Sequence, residues 1–239
     1  MTSHVSRLRL IVWLLVSAGL PAFARERAPV PAVSLYAIDS AHSLLEFSVR
    51  LVGFNRVRGS FEKYHGHVLL ASDDITRSKV SVVIESDSIR TGVEERDRDL
   101  KSANFFDAAK YPSLTFASAR IERTPSGFVA IGPLAIHGVS REIRIPFVLS
   151  SPPGTDPFGN TRFAITGEVT FNRSDFGVNG PDFWGKAISD AVRIDLEIAG
   201  RRWNYETLGW SQGGRSSIGE LIVRKVKESG VEGTMRAVE

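Results

Sequence analysis

Three short stretches hold residue types that could do chemistry. DSAHS, from Asp39 to Ser43, brings together a carboxylate, an imidazole and a hydroxyl, the parts of a hydrolase triad. Consecutive residues at a strand entry rarely fold back so that the base reaches both partners, so the spacing favours an Asx- or Ser-type turn with His42 bonded locally. His65 and His67 are two apart, so on a strand their rings share a face, a spacing a metal could use. A third ligand would have to come from His42, His137 or a carboxylate, and His65 precedes Gly66 in what reads as a turn, so no metal site is expected. The charged run from Glu94 to Lys101 could supply paired carboxylates for acid and base work. On a short helix it instead makes a solvated face with Glu94–Arg98 and Asp97–Lys101 pairs, each contributing about 0.2–0.5 kcal/mol. No oxyanion device, phosphate-cradling glycine loop or dinucleotide fingerprint is present in the sequence. The expectation is a protein without catalytic residues or a cofactor, and not an enzyme.

The elements around these stretches are mostly strands. LLEFSVRL puts Leu45, Phe47, Val49 and Leu51 on one face, and KVSVVIES does the same for Val80, Val82 and Ile84. REIRIPFVL, RFAITGEVTF and AVRIDLEIAG repeat the alternation, and SFEKYHGHVLL, YPSLTFASARI and GFVAIGPLAIHG add further strands. About eight strands with one apolar face and no βαβ spacing predict an all-β antiparallel sheet. Two stretches break the pattern. Thr91 and Glu94, which open TGVEERDRDLKSANFFD, have capping-box spacing, which predicts a short helix there. FNRSDFGVNGPDFWGKAISD reads as a long loop, yet it carries Phe176, Phe183 and Trp184, and loops seldom hold three aromatics unless these are buried or grip something.

Both ends differ from this middle. Arg7 and Arg9 precede the apolar run LIVWLLVSAGLPAF, and Ala22-Phe23-Ala24 supplies small residues for cleavage, so residues 1–24 read as a signal peptide removed after Ala24. That predicts export. Residues 25–35 form a Pro-rich, loose lead, and the stretch 200–239 ends the alternation with SSIGELIVRKVKESG, a predicted helix. The 239 residues include no cysteine, which excludes disulfide scaffolds, thiol nucleophiles and Cys-based metal sites. The formal charge of +3 falls further when Arg7 and Arg9 leave, which is no footprint for nucleic acid.

The blocks DSAHSLLEFSV, VRGSFE, SDSIRTGVEERDRDLKSANFFDAAKYPSLTFAS, GPLAIHGVSREIRIP and FNRSDFGV stand in one order between Tyr36 and Ala199. Together they resemble the YceI-like family of periplasmic polyisoprenoid-binding barrels, with Arg96-Asp97, Leu100, Phe105-Phe106 and Tyr111-Pro112 the most specific part. The resemblance implies an extended eight-stranded, lipocalin-like antiparallel barrel over 36–199 that binds a long-tailed amphiphile, such as an isoprenoid quinone, a prenyl pyrophosphate or a fatty amide, without catalysis. It also implies that Phe105 and Phe106 tuck inward to cap or line the barrel. Where members commonly carry His the chain has Leu51, and where they often place Asp it has Ala71; both changes remove a polar group.

Strand register makes Val49, Leu51, Val82, Ile84, Leu114, Phe116, Ile143, Ile145, Phe163 and Ile165 the expected inward, ligand-lining positions. Phe176, Phe183 and Trp184 would shut a mouth. A barrel of eight strands is just wide enough to be filled by its own side chains or to hold one narrow ligand. At about 0.8 kcal/mol per buried CH₂, one isoprene unit contributes roughly 3–4 kcal/mol against an association cost of about 4–15 kcal/mol, so long tails should bind better than short ones. The partner expected is therefore a long-chain isoprenoid or lipid bound by a monomer or homodimer, with transient contact to a membrane surface through the basic, amphipathic tail. Two alternatives stay open: a solid-barrelled interaction or envelope-stress module, and a His-dependent metal-binding or hydrolytic enzyme.

Overall fold

A computed structural model describes residues 33–203 of the chain. The expected signal peptide, almost all of the expected lead and the expected helix near the C-terminus lie outside the described residues. The strands are β1 (Val33–Ile38), β2 (Leu44–Leu51), β3 (Asn55–Phe61), β4 (Tyr64–Ala71), β5 (Lys79–Glu85), β6 (Ile89–Arg90), β7 (Ser113–Ala117), β8 (Arg120–Thr124), β9 (Gly127–Ile136), β10 (Val139–Thr155), β11 (Thr161–Asn172) and β12 (Ala191–Arg202). Two helices join them, α1 (Glu94–Lys101) and α2 (Asp182–Ala187).

These segments make a closed antiparallel barrel of eight staves. β1 and β2 are halves of one stave interrupted by the DSAHS turn; β3 with β4, and β5 with β6, are likewise halves, since β1 pairs β4 while β2 pairs β3, and β4 pairs β5 while β3 pairs β6. β7 and β8 both pair β9, separated by a one-residue register slip opposite Gly132. Any Cβ at Gly132 would collide with the Ala117 carbonyl, so the bulge and the glycine require each other. β12 closes the ring by pairing β11 on one edge and both β1 and β2 on the other.

The order is a simple meander; short turns join most neighbours, while α1 with its loop joins β6 to β7 and the segment carrying α2 joins β11 to β12. Between β9 and β10, His137 and Gly138 both take positive φ (52° and 76°), the two-residue hairpin turn that matches strand twist. Inward positions follow the alternation: Ile143, Ile145, Phe147 and Leu149 of β10, and Phe163, Ile165 and Phe171 of β11, all belong to the apolar core or pack on it.

The structure changes several details. β1 begins at Val33, inside the expected lead, because Ser34 and Leu35 are buried in pairing with β4. β12 runs to Arg202, past the boundary expected at Ala199, held there by its register with β1. The Thr91–Glu94 capping box does not form; Val93 is the N-cap of α1. Thr91 instead donates its N–H (2.8 Å) and hydroxyl (2.5 Å) to Asp97, whose carboxylate is buried rather than paired with Lys101 on a solvated face. Of the two expected ion pairs, Glu94–Arg98 is present at 3.0 Å. The stretch expected as one long loop contains a single 3-10 turn, Arg173–Phe176, and α2.

Candidate functional site

The barrel is not packed solid. An inner chamber of about 170 Å³ is lined almost wholly by aliphatic and aromatic residues, among them Val82, Ile84, Phe116, Ile143, Ile145, Phe163 and Ile165. An outer chamber of about 470 Å³ is lined by Val49, Leu51, Phe105, Phe106, Phe176, Trp184 and neighbours. They meet at a waist, because Phe61, Leu114, Ile136, Phe171 and Ile194 line both. Of the fifteen residues expected at the site, Phe183 is the exception: it lies outside both chambers, and its side chain is turned to solvent.

One end of the bore is closed by packing. Phe163 lies over Gly200, where any Cβ would overlap its ring, and Tyr36 meets it edge-on at 4.8 Å. Outside this plug, Arg162 bridges Asp39 (2.5 Å) and Asp156 (2.7 Å), tying the DSAHS corner to the β10–β11 turn. Burial pulls both carboxyls up, but hydrogen bonds from Arg162, joined at Asp156 by the Asn160 N–H, outweigh it. Asp156 is lowered to about 2 and Asp39 falls below the usual carboxylate range.

The other end is the mouth, roofed by two loops. After α1, the Leu100–Asp107 turn folds back on itself, with Phe106 N–H bonding Leu100 O (3.0 Å) and Asp107 N–H bonding Ser102 O (2.8 Å). That geometry buries Phe105 and sets Phe106 edge-on against Phe61 at 5.9 Å. The second roof is the segment after β11, organised by Arg173. Its Nε donates to Ser189 O (3.1 Å), Nη1 to Val178 O (2.7 Å) and Asn179 O (2.5 Å), and Nη2 to Gly185 O (2.6 Å) and Ile188 O (3.1 Å). All five guanidinium N–H groups thus hold carbonyls of one loop. Burial lowers the Arg173 pKa from its ordinary value, opposed by Asp190.

The outer chamber's α1 side and roof bring a cluster of polar residues to the cavity, Thr91, Glu95, Arg96, Asp99 and Arg173, whereas Glu46, Ser78 and Lys79 border an inner chamber whose surface is apolar. Arg96 donates from Nε to Thr91 Oγ1 (2.8 Å) and from Nη2 to Thr91 O (3.0 Å), while its Nη1 makes no hydrogen bond among the described residues. Asp99 accepts from Asn104 Nδ2 at 2.7 Å. The arrangement can hold an apolar chain in the bore and meet a polar head at the mouth.

Of the three stretches that looked chemical, the Glu94–Lys101 run borders the outer chamber and the other two lie elsewhere. His42 Nδ1 contacts Asp39 Oδ2 at 3.0 Å, the local turn the spacing suggested. The Ser43 hydroxyl donates to Asp39 O (2.8 Å) and accepts the Ala199 N–H (2.9 Å), so it stitches the barrel corner. His65 and His67 both sit on β4; His65 is exposed, and His67 packs near Trp203 at 6.0 Å, with burial lowering its pKa. His65 pairs across to Val83 in mid-strand, not in a turn.

Sequence reasoning missed Val57, Leu100, Val178 and Ile188, which line the outer chamber, and the organising role of Arg173. Val57 could have been found from the alternation in NRVRGSF. The loop residues carry no periodic signal.

The molecule is thus a closed eight-stave barrel whose apolar cavity opens at one end. A family model described as YceI-like domain matches residues 36–199. The chain belongs to the YceI-like family. Its relatives include a UPF0312 protein of Pseudomonas savastanoi pv. phaseolicola, 32% identical over 168 residues that cover 69% of this chain and 85% of the relative. Among solved structures it is similar to BcnA of Burkholderia cenocepacia, with a TM-score of 0.60 at 21% identity over 68% of this chain and 98% of BcnA. It is also similar to a protein of Saccharophagus degradans described as a polyisoprenoid binding domain implicated in plant cell wall breakdown, with a TM-score of 0.52 at 16% identity over 70% of this chain and 98% of that one. These two likenesses establish the fold.

Proposed function

We propose that this YceI-like chain binds and carries a long-tailed amphiphile, an isoprenoid or lipid, with the tail in the bore and the head at the mouth. The observation that carries this reading is the pair of apolar chambers meeting at one waist, with Arg96 and its polar neighbours confined to the outer one. Burial of tail carbons supplies the affinity, at about 0.8 kcal/mol per CH₂. The head then needs only to avoid being desolvated without a partner. The description of the Saccharophagus neighbour as a polyisoprenoid binding domain is consistent with this ligand class. No catalytic step, cofactor or metal enters the reading. Carriage takes place in the periplasm, after export and cleavage behind Ala24; N-terminal sequencing of the mature protein tests that part.

The test of binding is a series of prenyl alcohols of rising length, titrated into the protein. Affinity should rise with each unit until the bore is full. In Ile194→Trp, which fills the waist, short prenyl alcohols should bind as before while longer ones gain nothing more. Equal binding of all lengths would refute the reading, and so would a gain with length that Ile194→Trp leaves intact.

A further inference from the structure

The hairpin joining β2 to β3 breaks three local rules at once. Its turn closes with Phe54 N–H on Leu51 O at 3.1 Å, and its two central residues, Val52 and Gly53, take φ of 53° and 75°. A β-branched residue is among the worst for that left-handed position, where Asn or Asp is usual. The tip exposes its apolar side chains, Val52 by 62% and Phe54 by 86%. Just behind it Arg50 lies directly opposite Arg56 on the outer face, a like-charge cross-strand pair. Among the described residues neither makes a direct ion pair; Asp195, held first by Arg193, also feels the charge of Arg56 from farther off. Departures from local consistency concentrated in one place mark function more often than error.

The hairpin tip is fastened to the mouth of the cavity. Val52 N–H bonds Ala187 O (2.6 Å), Ser189 N–H bonds Arg50 O (2.8 Å), and Leu51 bridges Ile188. The end of α2 therefore extends the β2 edge, and α2 carries Phe183, 74% exposed, and Trp184, 47% exposed, with ring centroids 5.2 Å apart. Lys186 adds an exposed cation to α2, against Asp182 at its start. Leu51, Ile188 and Trp184 also line the outer chamber, so the exposed apolar rim is continuous with the ligand cavity.

We propose that this rim docks the protein on an anionic lipid bilayer, with Val52, Phe54, Phe183 and Trp184 inserted at the headgroup level and Arg50 and Arg56 on lipid phosphates. Aromatic and aliphatic tips flanked by basic residues are the chemistry of an interfacial anchor. Two of the three departures are relieved there, since the exposed ring and Val52 leave water and anionic headgroups separate the two guanidinium groups; the left-handed backbone at Val52 stays strained and is what holds an apolar side chain at the tip. The mouth then faces the source of its tail. This rests on the carrier reading for its purpose, and on the hairpin for its geometry.

The test is co-sedimentation of the full chain with vesicles of phosphatidylethanolamine and phosphatidylglycerol, beside phosphatidylcholine vesicles, with uptake of a fluorescent fatty probe measured separately without vesicles. Phe54→Ser and the double variant Arg50→Glu/Arg56→Glu should each lose about tenfold or more in partitioning to the anionic vesicles. Phe158→Ser is the matched control, since Phe158 is 89% exposed on the β10–β11 turn at the closed end, and it should lose nothing. Val52→Asn supplies the residue the turn prefers, so it should raise the melting midpoint by about 2–4 °C while weakening docking, which separates docking from folding. Docking is overturned if the wild type ignores anionic vesicles, if the hairpin variants partition like wild type, or if Phe158→Ser loses as much as Phe54→Ser. Vesicle binding without probe uptake would refute carriage and leave docking standing; probe uptake without vesicle binding would do the reverse.

Discussion

Replacing Arg173 by Met keeps the length of the side chain and removes all five donors that gather the carbonyls of Val178, Asn179, Gly185, Ile188 and Ser189. Hydrogen bonds from a charged donor contribute about 1.5–3 kcal/mol each, and five of them would give an unrealistic total. Asn179 O is at the surface, and water can replace the donor there and in part at the others. Losing one partner of a buried charged network costs about 3–5 kcal/mol, the better guide. Because the donors all serve one loop, the loss should fall on that loop, raising its opening equilibrium by roughly two to three powers of ten. Hydrogen exchange should show the amides of Gly177, Val178, Gly185 and Ile188 losing protection by that factor, while those of β10 and β11 keep theirs. Arg173→Lys should recover only part, because an ammonium has three donors and no planar fork. Bound tails should also escape faster, since Phe176, Val178, Trp184 and Ile188 line the outer chamber. Unchanged loop protection in Arg173→Met would refute the reasoning, as would full rescue by Lys.

Three further outcomes follow from other parts of the barrel. Among the described residues the buried Tyr36 hydroxyl has no hydrogen-bond partner, so Tyr36→Phe should be neutral or stabilising by up to about 1 kcal/mol in urea unfolding. Gly200→Ala drives a methyl into the Phe163 ring and should destabilise by about 1–3 kcal/mol, with a shift in Phe163 resonances as the plug repacks. The Asp39–Arg162–Asp156 bridge sets an acid limit: both carboxyls have folded pKa values below their unfolded ones. Their stabilisation is complete above about pH 4 and is lost as the pH falls toward about 2, where Asp156 protonates. Melting midpoints should therefore drop across that window, and Arg162→Met should start lower at pH 6 and drop less.

The barrel was legible because period-two alternation states which side chains face inward, and a closed sheet has only one inside. Ile143, Ile145, Phe163 and Ile165 reached the inner chamber on that rule alone. Phe105 and Phe106 were placed through the family resemblance, since nothing in the run SANFFD distinguishes a turn that folds inward from one that does not. Phe183 stands apart from the other expected site residues because an aromatic in a loop has no register: α2 brings Trp184 to the outer chamber and leaves its neighbour Phe183 exposed. Asp97 was misread for a related reason. Charge alternation along a helix suggests ion pairs, but whether Asp97 meets Lys101 or the Thr91 N–H depends on how the preceding loop docks, and that contact is tertiary. Arg173 carried no signal at all, because its partners are backbone carbonyls and any sequence supplies those.

The central claim is that the bore holds a chain of lipid in the living cell. Native mass spectrometry of protein taken from its own envelope without detergent tests it most directly. The claim predicts a single added mass that solvent extraction releases as a long-chain isoprenoid or lipid. A bare protein mass, with extracts no richer in such chains than those of an unrelated exported protein, would contradict it.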